Sequence, residues 1–442
     1  MIVYEVLNRI YEWMTCDDLS LFQPLRCTIT GSAGTGKSVL LNTITSCIRT
    51  VFEYNNVVAV GCPTGTAAFN ANGDTMHCLT EQGISGDYKP FTLSDAKKKR
   101  LCRRFKHLLC LMIDERSLVT SKLLGNTAQI LSETVYDGCN ILDQFGGVPV
   151  VILAGDDYQL PGLSEGGIEA LTRYGGTKMT QNGREIFRQC SGTVFELSTI
   201  RRVSDSKQSD KDLIQRIRSG IGVTDEDVVK LQSLHLDNIR EKHGSDVVKQ
   251  IEAEAVYLFW TNEKRMKLNL HRLGEMNTPD NPTAIIRPSG YGTKFGKSIN
   301  SHFEDDTPKA ALLCVGAKAC LQGQNFHPQW GLHNGACGTV KEIVFADEKD
   351  PNKGDHPSYV VVNFPQYKGP PWDSENMQVR SRGVFVYFRI VLKNPVAFTS
   401  GYTSSNGTQT MQVPMLSAKL PATRTCFRPN TPSLPRTQCR PS

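Results

Sequence analysis

The 442-residue sequence has no Cys-x-x-Cys pair, no long apolar run, no His-Lys dipeptide and, beyond Glu375, no acidic residue. Each absence excludes something. The longest apolar stretches, residues 148–154 and 310–315, fall far short of the roughly 18 residues that a membrane-spanning helix needs. No membrane-spanning role is therefore expected. The N-terminal Met1-Ile-Val-Tyr-Glu-Val lacks a basic segment, apolar core and small-residue cleavage site, which leaves secretion unsupported and an intracellular location expected. Fourteen cysteines scattered singly fit reduced, buried thiols better than a disulfide framework. The crowded group Cys314, Cys320, His327, His333 and Cys337 matches no familiar zinc spacing and reads as small buried thiols with surface histidines.

The net charge of +6 is unevenly spread. Up to Glu375 there are 41 basic and 44 acidic residues, whereas 376–442 holds nine basic residues and no acid. The overall excess is thus a property of the C-terminal stretch, and by itself it argues for no polyanionic partner.

What is present is an alternation of short Val/Ile/Leu-rich runs with longer amphipathic segments, the pattern of a parallel sheet covered by helices. A helix is expected at 3–14, strands at 25–30, 57–61, 108–113 and 148–154, and a helix at 38–51. Past a linker-like change near 204–211 come helices at 212–219 and 224–234, then a strand at 255–260. From 309 the texture becomes short β-type runs at 310–315, 338–345, 359–364 and 384–392, separated by Gly/Pro turns, which suggests a small β-barrel. After 394 the chain is Thr/Ser/Pro/Arg-rich without periodicity and reads as disordered.

Gly31-Ser-Ala-Gly-Thr-Gly-Lys37-Ser38 fits the phosphate-binding loop, and it lies between an expected strand and helix, where the chemistry requires it. Glycines let successive backbone N–H groups face phosphate oxygens, and the helix N-terminus adds favourable dipole charge. Gly31, Ser32, Ala33, Gly34, Thr35, Gly36, Lys37 and Ser38 are the expected cradle for ATP. Lys37 would hold the β- and γ-phosphates and Ser38 would bind Mg²⁺. The strand ending in Ile113-Asp114-Glu115 supplies a metal-side carboxylate, Asp114, and a candidate base for the attacking water, Glu115. An Asp-Glu pair by itself would equally suit a helix cap. A further strand ends in Gly155-Asp-Asp-Tyr-Gln159-Leu-Pro161, where Gln159 is placed to sense the γ-phosphate. Lys97-Lys-Lys-Arg100 with Arg103, Arg104 and Lys106 could track a DNA backbone, though a solvated helix face is the commoner meaning. Trp260, Trp330 and Trp372 could stack bases, with packing the commoner role.

The next blocks choose among P-loop proteins. Cys62-Pro-Thr64-Gly65-Thr-Ala-Ala-Phe69 with Gly73-Asp-Thr-Met-His77 resembles the single-strand-contacting segment of superfamily 1B, PIF/RecD-like helicases, especially the PIF-like helicases of eukaryotes and Helitron-type transposons. The resemblance continues through Gln144-Phe-Gly-Gly-Val-Pro149, Glu196-Leu-Ser-Thr-Ile-Arg201-Arg202, Thr261-Asn262 and Gly331-Leu-His-Asn-Gly-Ala-Cys-Gly338, in family order over roughly 27–345. It implies an α/β P-loop NTPase with tandem RecA-like domains, the second truncated, and a small SH3-like β-barrel insertion. The corresponding division is an N-terminal helix in 1–24, a first RecA-like domain at 25–200, the start of a second at 201–308, the barrel at 309–393 and a tail at 394–442. It further implies ATP- and Mg²⁺-dependent 5′ to 3′ translocation and unwinding, single-stranded and forked DNA as partners, and a nuclear or mitochondrial location in a eukaryote. Carried residue by residue, Arg201 matches the γ-phosphate arginine of the second domain, and Thr64, Gly65 and His77 fall in DNA-contacting segments.

Some text departs from the family. Arg116 stands where a small or apolar residue is usual, and Asp157 and Gly162 replace an aromatic and a proline around Gln159. No adenine-recognising glutamine is evident in 1–27. The closing Thr-x-His-Lys-x-Gln-Gly segment is missing. Codons for residues 419–424, read two nucleotides later, can encode Thr-Thr-Ser-His-Lys, so the tail reads as a shifted frame or mis-spliced end of a helicase gene. A catalytically impaired ATP- or DNA-binding remnant is the alternative reading, and a small-substrate P-loop kinase is the third.

Overall fold

A computed structural model describes residues 1–52, 55–83, 88–138, 143–159, 169–201, 208–259, 261–286, 311–321, 326–347, 349, 357 and 359–369, with the backbone of 385–389 and 399–400. The chain opens with α1 (Ile2–Thr15), β1 (Leu25–Gly31), α2 (Lys37–Phe52), β2 (Val58–Cys62), α3 (Gly65–Asn70), β3 (Asp74–Thr75), α4 (Met76–Leu79) and α5 (Asp95–Phe105). It continues with β4 (Cys110–Ile113), α6 (Ser121–Thr134), β5 (Val150–Gly155), α7 (Glu169–Thr172), α8 (Lys178–Ser191) and β6 (Val194–Leu197). The six strands form one parallel sheet in the order β3-β2-β4-β5-β1-β6.

Strand alternation explains the layers. In β4 and β5, Cys110, Met112, Val150, Ile152 and Ala154 enter one core with Val6, Ile10, Leu41, Ile44 and Ile48 of α1 and α2. Leu111, Ile113, Val151 and Leu153 enter the opposite core with residues of α5, α6 and α8. Both faces are buried, so the central strands are uniformly apolar rather than alternating in hydropathy. Helices α6 and α8 cross closely because Gly125 and Gly183 sit at the crossing. A Cβ on Gly183 would overlap the Ser121 carbonyl, and one on Gly125 the Met179 carbonyl.

The second half begins with α9 (Gln208–Ser219), α10 (Asp225–Ser233), α11 (Leu236–His243), α12 (Ser245–Glu254) and α13 (Asn262–Met276). Between α12 and α13 the expected strand at 255–260 does not form: residues 255–259 are coil, with Val256 and Leu258 exposed. An apolar run becomes a buried strand only where neighbouring strands exist, and none flanks this run among the described residues.

Next come β7 (Ala284–Ile286) and β8 (Ala311–Leu313), an isolated antiparallel pair. Then follow β9 (Lys318–Cys320), β10 (Cys337–Val344), β11 (Tyr359–Asn363), β12 (Phe385–Arg389) and β13 (Thr399–Ser400). These last five make an antiparallel sheet ordered β12-β11-β10-β9-β13. The β-rich unit is therefore present as a sheet, and among the described residues its two edge strands do not pair to close a barrel. Thr399–Ser400 pairs with β9, so this dipeptide of the expected disordered tail is an edge strand. Residues 401–442, with the proposed frame change at 418, lie outside the described residues, as do Gly162, Trp260 and Trp372.

The cysteine and histidine group is also resolved. Cys314 and Cys320 are buried, and Cys337 faces Cys320 directly across the β9–β10 pair. His333, expected at the surface, is buried at 1% exposure against the Phe69 ring, with a 5.1 Å centroid separation. No trio of His, Cys, Asp or Glu among the described residues is placed to hold a metal ion. No described helix is long and apolar enough to cross a membrane.

Candidate nucleotide site

The site is assembled at the carboxyl ends of the parallel strands, where open α/β sheets place their ligands. The segment after β1 turns through Gly34 (φ 82°) and Gly36 (φ 97°), left-handed positions that favour glycine, and α2 then begins at Lys37. The Lys37 ammonium donates to the Gly31 carbonyl at 2.7 Å and the Ser32 carbonyl at 3.1 Å. Ser38 lies in the first turn of α2.

Asp114 and Glu115 follow β4. The Asp114 carboxylate accepts the Glu115 backbone N–H at 2.9 Å. Burial pushes the Asp114 carboxyl above its ordinary range, against the opposing effects of the Glu115 N–H and Lys37. Glu115 is raised by burial and then by Asp114. Its backbone is left-handed, φ 56° and ψ 48°, a conformation that a side-chain-bearing residue holds only when its surroundings impose it. Lys37 is pushed down by burial while Asp156, Glu115 and Asp114 act in the opposite direction. A buried carboxyl, Asp114, and a half-buried one, Glu115, thus lie side by side after β4, and carboxylate oxygens are the ligands a hard divalent cation takes.

The loop after β5 completes this wall. Asp156 is buried, and its raising by burial is outweighed by the Arg218 hydrogen bond, the Tyr158 N–H and Lys37, so its carboxyl lies below the ordinary range. The Gln159 N–H donates to the Asp156 carbonyl at 3.1 Å, which closes a tight turn at the end of β5. Arg201 follows β6. Its backbone N–H donates to the Gly34 carbonyl at 2.7 Å, so the segment leaving the sheet is fastened to the phosphate loop, and its side chain is exposed.

Two partners were not foreseen. Arg218 of α9 reaches Asp156 at 2.5 Å and lies 4.6 Å from the Tyr158 ring centroid. Arg116 makes a bidentate pair with Asp157 and also donates to Thr28 Oγ1. The second pairing had a sequence signal, because both residues depart from the family text. Arg218 had none beyond its place on an amphipathic helix.

The residues expected to contact DNA follow the carboxyl ends of β2 and β3, towards the edge of the sheet away from β1. Thr64 is the N-cap of α3, its hydroxyl oxygen accepting the Ala67 N–H at 3.2 Å, and Gly65 opens the helix. His77, in α4, is half-buried and shifted down by burial. Thr66 donates to the Asn334 carbonyl at 3.2 Å, and Lys368 sits over the Phe69 ring at 4.9 Å, so the β-rich unit docks on this segment. The basic run on α5 is partly structural. Arg100 pairs with Glu81 at 2.6 Å, Lys97 donates to the Glu81 carbonyl, and Arg104 donates to the Cys78 and Leu79 carbonyls. Trp330 packs on His327 at a 4.2 Å centroid separation.

A P-loop α/β domain of RecA-like architecture is the class that this sheet and this strand-end constellation define. Residues 5–221 match the PIF1-like helicase family model. ATP-dependent DNA helicase PIF1 of Saccharomyces cerevisiae is 32% identical over 174 residues, 38% of this chain and 20% of that protein. The Xenopus laevis PIF1 is 27% identical over 312 residues, 70% of this chain and 43% of that protein. The chain therefore spans less than half the length of these curated relatives. The Bacteroides Pif1 helicase crystallised with ADP-AlF3 and ssDNA superposes with a TM-score of 0.52 at 20% identity, covering 91% of this chain and 82% of that one, which shows a shared fold.

Proposed function

We propose that the chain is an ATP- and Mg²⁺-dependent DNA helicase or translocase that moves 5′ to 3′ on single strands and opens forked duplexes. Its setting would be DNA repair, recombination or telomere maintenance in the nucleus or mitochondrion. The observation that carries the reading is the convergence of Lys37, Asp114, Glu115 and Asp156 at three neighbouring strand ends, with Arg201 fastened to Gly34. The solved relative crystallised with ADP-AlF3 and ssDNA supports the choice of nucleotide and strand.

The residues divide the work. The 31–38 loop and Lys37 would hold the ATP phosphates, and Mg²⁺, held by Ser38 and Asp114, would neutralise phosphate charge when bound. Glu115 would take a proton from the attacking water, Gln159 would sense the γ-phosphate, and Arg201 would stabilise charge developing on it. Residues 25–200 would form the first RecA-like domain, 201–308 the start of the second and 309–393 the β-rich insertion. Thr64, Gly65 and His77 would line the single strand, gripping its backbone without reading sequence. With the Thr64 oxygen already capping α3, its hydroxyl proton is what it has left to offer a phosphate.

A second reading, a nucleotide- or DNA-binding helicase remnant, is favoured by one observation: residues 255–259 are exposed coil where a second sheet would need a strand. Hydrolysis of ATP by the full chain, with and without single-stranded DNA and beside Lys37→Ala, separates the two. DNA-stimulated hydrolysis lost on substitution supports the motor. Rates equal to the Lys37→Ala background support the remnant.

A further inference from the structure

We propose that Arg116 and Asp157 form a positioning pair that holds the Glu115 carboxylate and the Gln159-bearing turn in one fixed relation across the hydrolytic site. The proposal rests on the ATPase reading above and adds residues to which that reading gives no part.

The geometry is specific. Arg116 Nε and one terminal nitrogen donate to the two oxygens of Asp157, each at 2.7 Å, and the other terminal nitrogen donates to Thr28 Oγ1 at 2.7 Å. The two side chains are 5% and 16% exposed, so this is a buried ion pair rather than a surface one. A guanidinium fork meets a carboxylate in a bidentate manner in a narrow range of orientations, which fixes rotation as well as position. The three groups come from three adjacent strands: Thr28 from the middle of β1, Arg116 from just past β4 and Asp157 from just past β5. Gly155 removes the remaining slack, since a Cβ there would stand 2.8 Å from the Arg116 amide nitrogen and 2.9 Å from its Cγ.

The placement matters for both neighbours. Arg116 directly follows Glu115, whose left-handed backbone needs an external restraint. Asp157 sits inside the turn that the Gln159 N–H closes onto Asp156. Fixing Arg116 to Asp157 therefore ties the segment carrying the base to the segment carrying the sensor. Arg116 and Asp157 are also both departures from the family text, and together they make one compensated exchange. Either charge alone would be buried without a partner, which is strongly destabilising.

The test uses the full chain and an Arg116→Met/Asp157→Leu double variant, which removes both charges at similar volume and so avoids the unpaired charge of either single change. Steady-state ATP hydrolysis is measured at saturating single-stranded DNA, and binding is compared for ADP and for ADP–aluminium fluoride. ADP affinity is expected within about threefold of wild type, while kcat falls on the order of tenfold to a hundredfold with KM little changed, as misplaced catalytic groups do. Preference for the aluminium fluoride complex over ADP should fall by a similar factor. Arg116→Lys, which keeps the charge without the fork, should recover kcat only in part. A double variant that keeps kcat and the analogue preference, or that loses ADP and its analogue equally, overturns the proposal. If the wild type shows no DNA-stimulated hydrolysis, the functional reading fails. The analogue preference then still decides the pair, upheld by a selective loss and overturned by none.

Discussion

The Arg218 guanidinium, carried by α9, lies 2.5 Å from the Asp156 carboxylate at the end of β5 and 4.6 Å from the Tyr158 ring centroid. A helix beyond the parallel sheet is thus anchored to the turn that carries Gln159. Asp156 is 1% exposed and Arg218 Nη1 is its only cationic hydrogen-bond donor among the described contacts. Arg218→Ala leaves that buried carboxylate without its hydrogen-bonded cation, with only the Tyr158 N–H and the more distant Lys37 remaining, and should cost about 3 kcal/mol in chemical denaturation at neutral pH. The sign with pH follows from the lowered Asp156 pKa: its contribution is complete above the ordinary value of 3.8 and fades as pH drops below it toward the folded-state value. Wild type and variant should therefore differ most at neutral pH and converge on acidification. A difference that stays constant between pH 7 and pH 3 would refute the pairing.

Lys37 is the cation over which Asp156, Glu115 and Asp114 exert their pull. Lys37→Ala removes a counter-charge from these carboxyls and, with it, the proposed phosphate ligand. Loss of a preorganised charge on a transferring phosphoryl group lowers kcat on the order of 10²–10³-fold. Hydrolysis in the presence of single-stranded DNA reads this directly, and activity within a few fold of wild type would remove Lys37 from the site.

Four of the six strands of the first sheet were legible because they follow a local pattern, whereas β3, two residues long, and β6, partly exposed, offer no uniform apolar run to read. The apolar runs expected as strands at 108–113 and 148–154 form β4 and β5, buried on both faces, and Gly34 and Gly36 take positive φ in the turn after β1. The strand expected at 255–260 failed for a non-local reason: strand formation depends on neighbours, and an apolar run cannot announce that its neighbours are missing. The Arg116–Asp157 pair was visible as two oddities 41 positions apart, but their contact depends on β4 and β5 being adjacent, which spacing along the chain does not encode. His333 was misjudged because its burial comes from Phe69, a residue on the other side of the molecule's sequence.

The α6–α8 crossing offers a test of packing alone. A Cβ at position 183 would enter the space of the Ser121 carbonyl, a backbone atom that cannot move away as a side-chain end can. Gly183→Ala must therefore push the helices apart beneath the core that holds Ile186 and Phe187. Overpacking of this kind costs about 1–3 kcal/mol, and more where the obstacle is backbone, against the roughly 0.8–1 kcal/mol that alanine ordinarily gains over glycine in a helix. Thermal melting should show a clear fall. A rise in melting temperature would mean that the helices do not meet at this position.

Glu115 links the chemistry to pH. Burial and the neighbouring Asp114 raise its pKa above the ordinary 4.5, with Lys37 opposing. A base works only as the carboxylate, so hydrolysis should fall on acidification along a limb whose midpoint lies above 4.5. The same shift has a stability consequence of opposite sense. A carboxyl whose folded-state pKa is raised favours the fold below its unfolded value, and that contribution is lost as pH rises through the folded value. Glu115→Gln removes the cost of holding a half-buried carboxylate at neutral pH and, with it, the proposed base. Its melting temperature should equal or exceed wild type at pH 7, and kcat should drop on the order of 10²–10⁴-fold with nucleotide binding retained. The acid limb should also disappear from what activity remains. Retention of that limb in Glu115→Gln would assign it to another group, with Asp114 the next carboxyl to test.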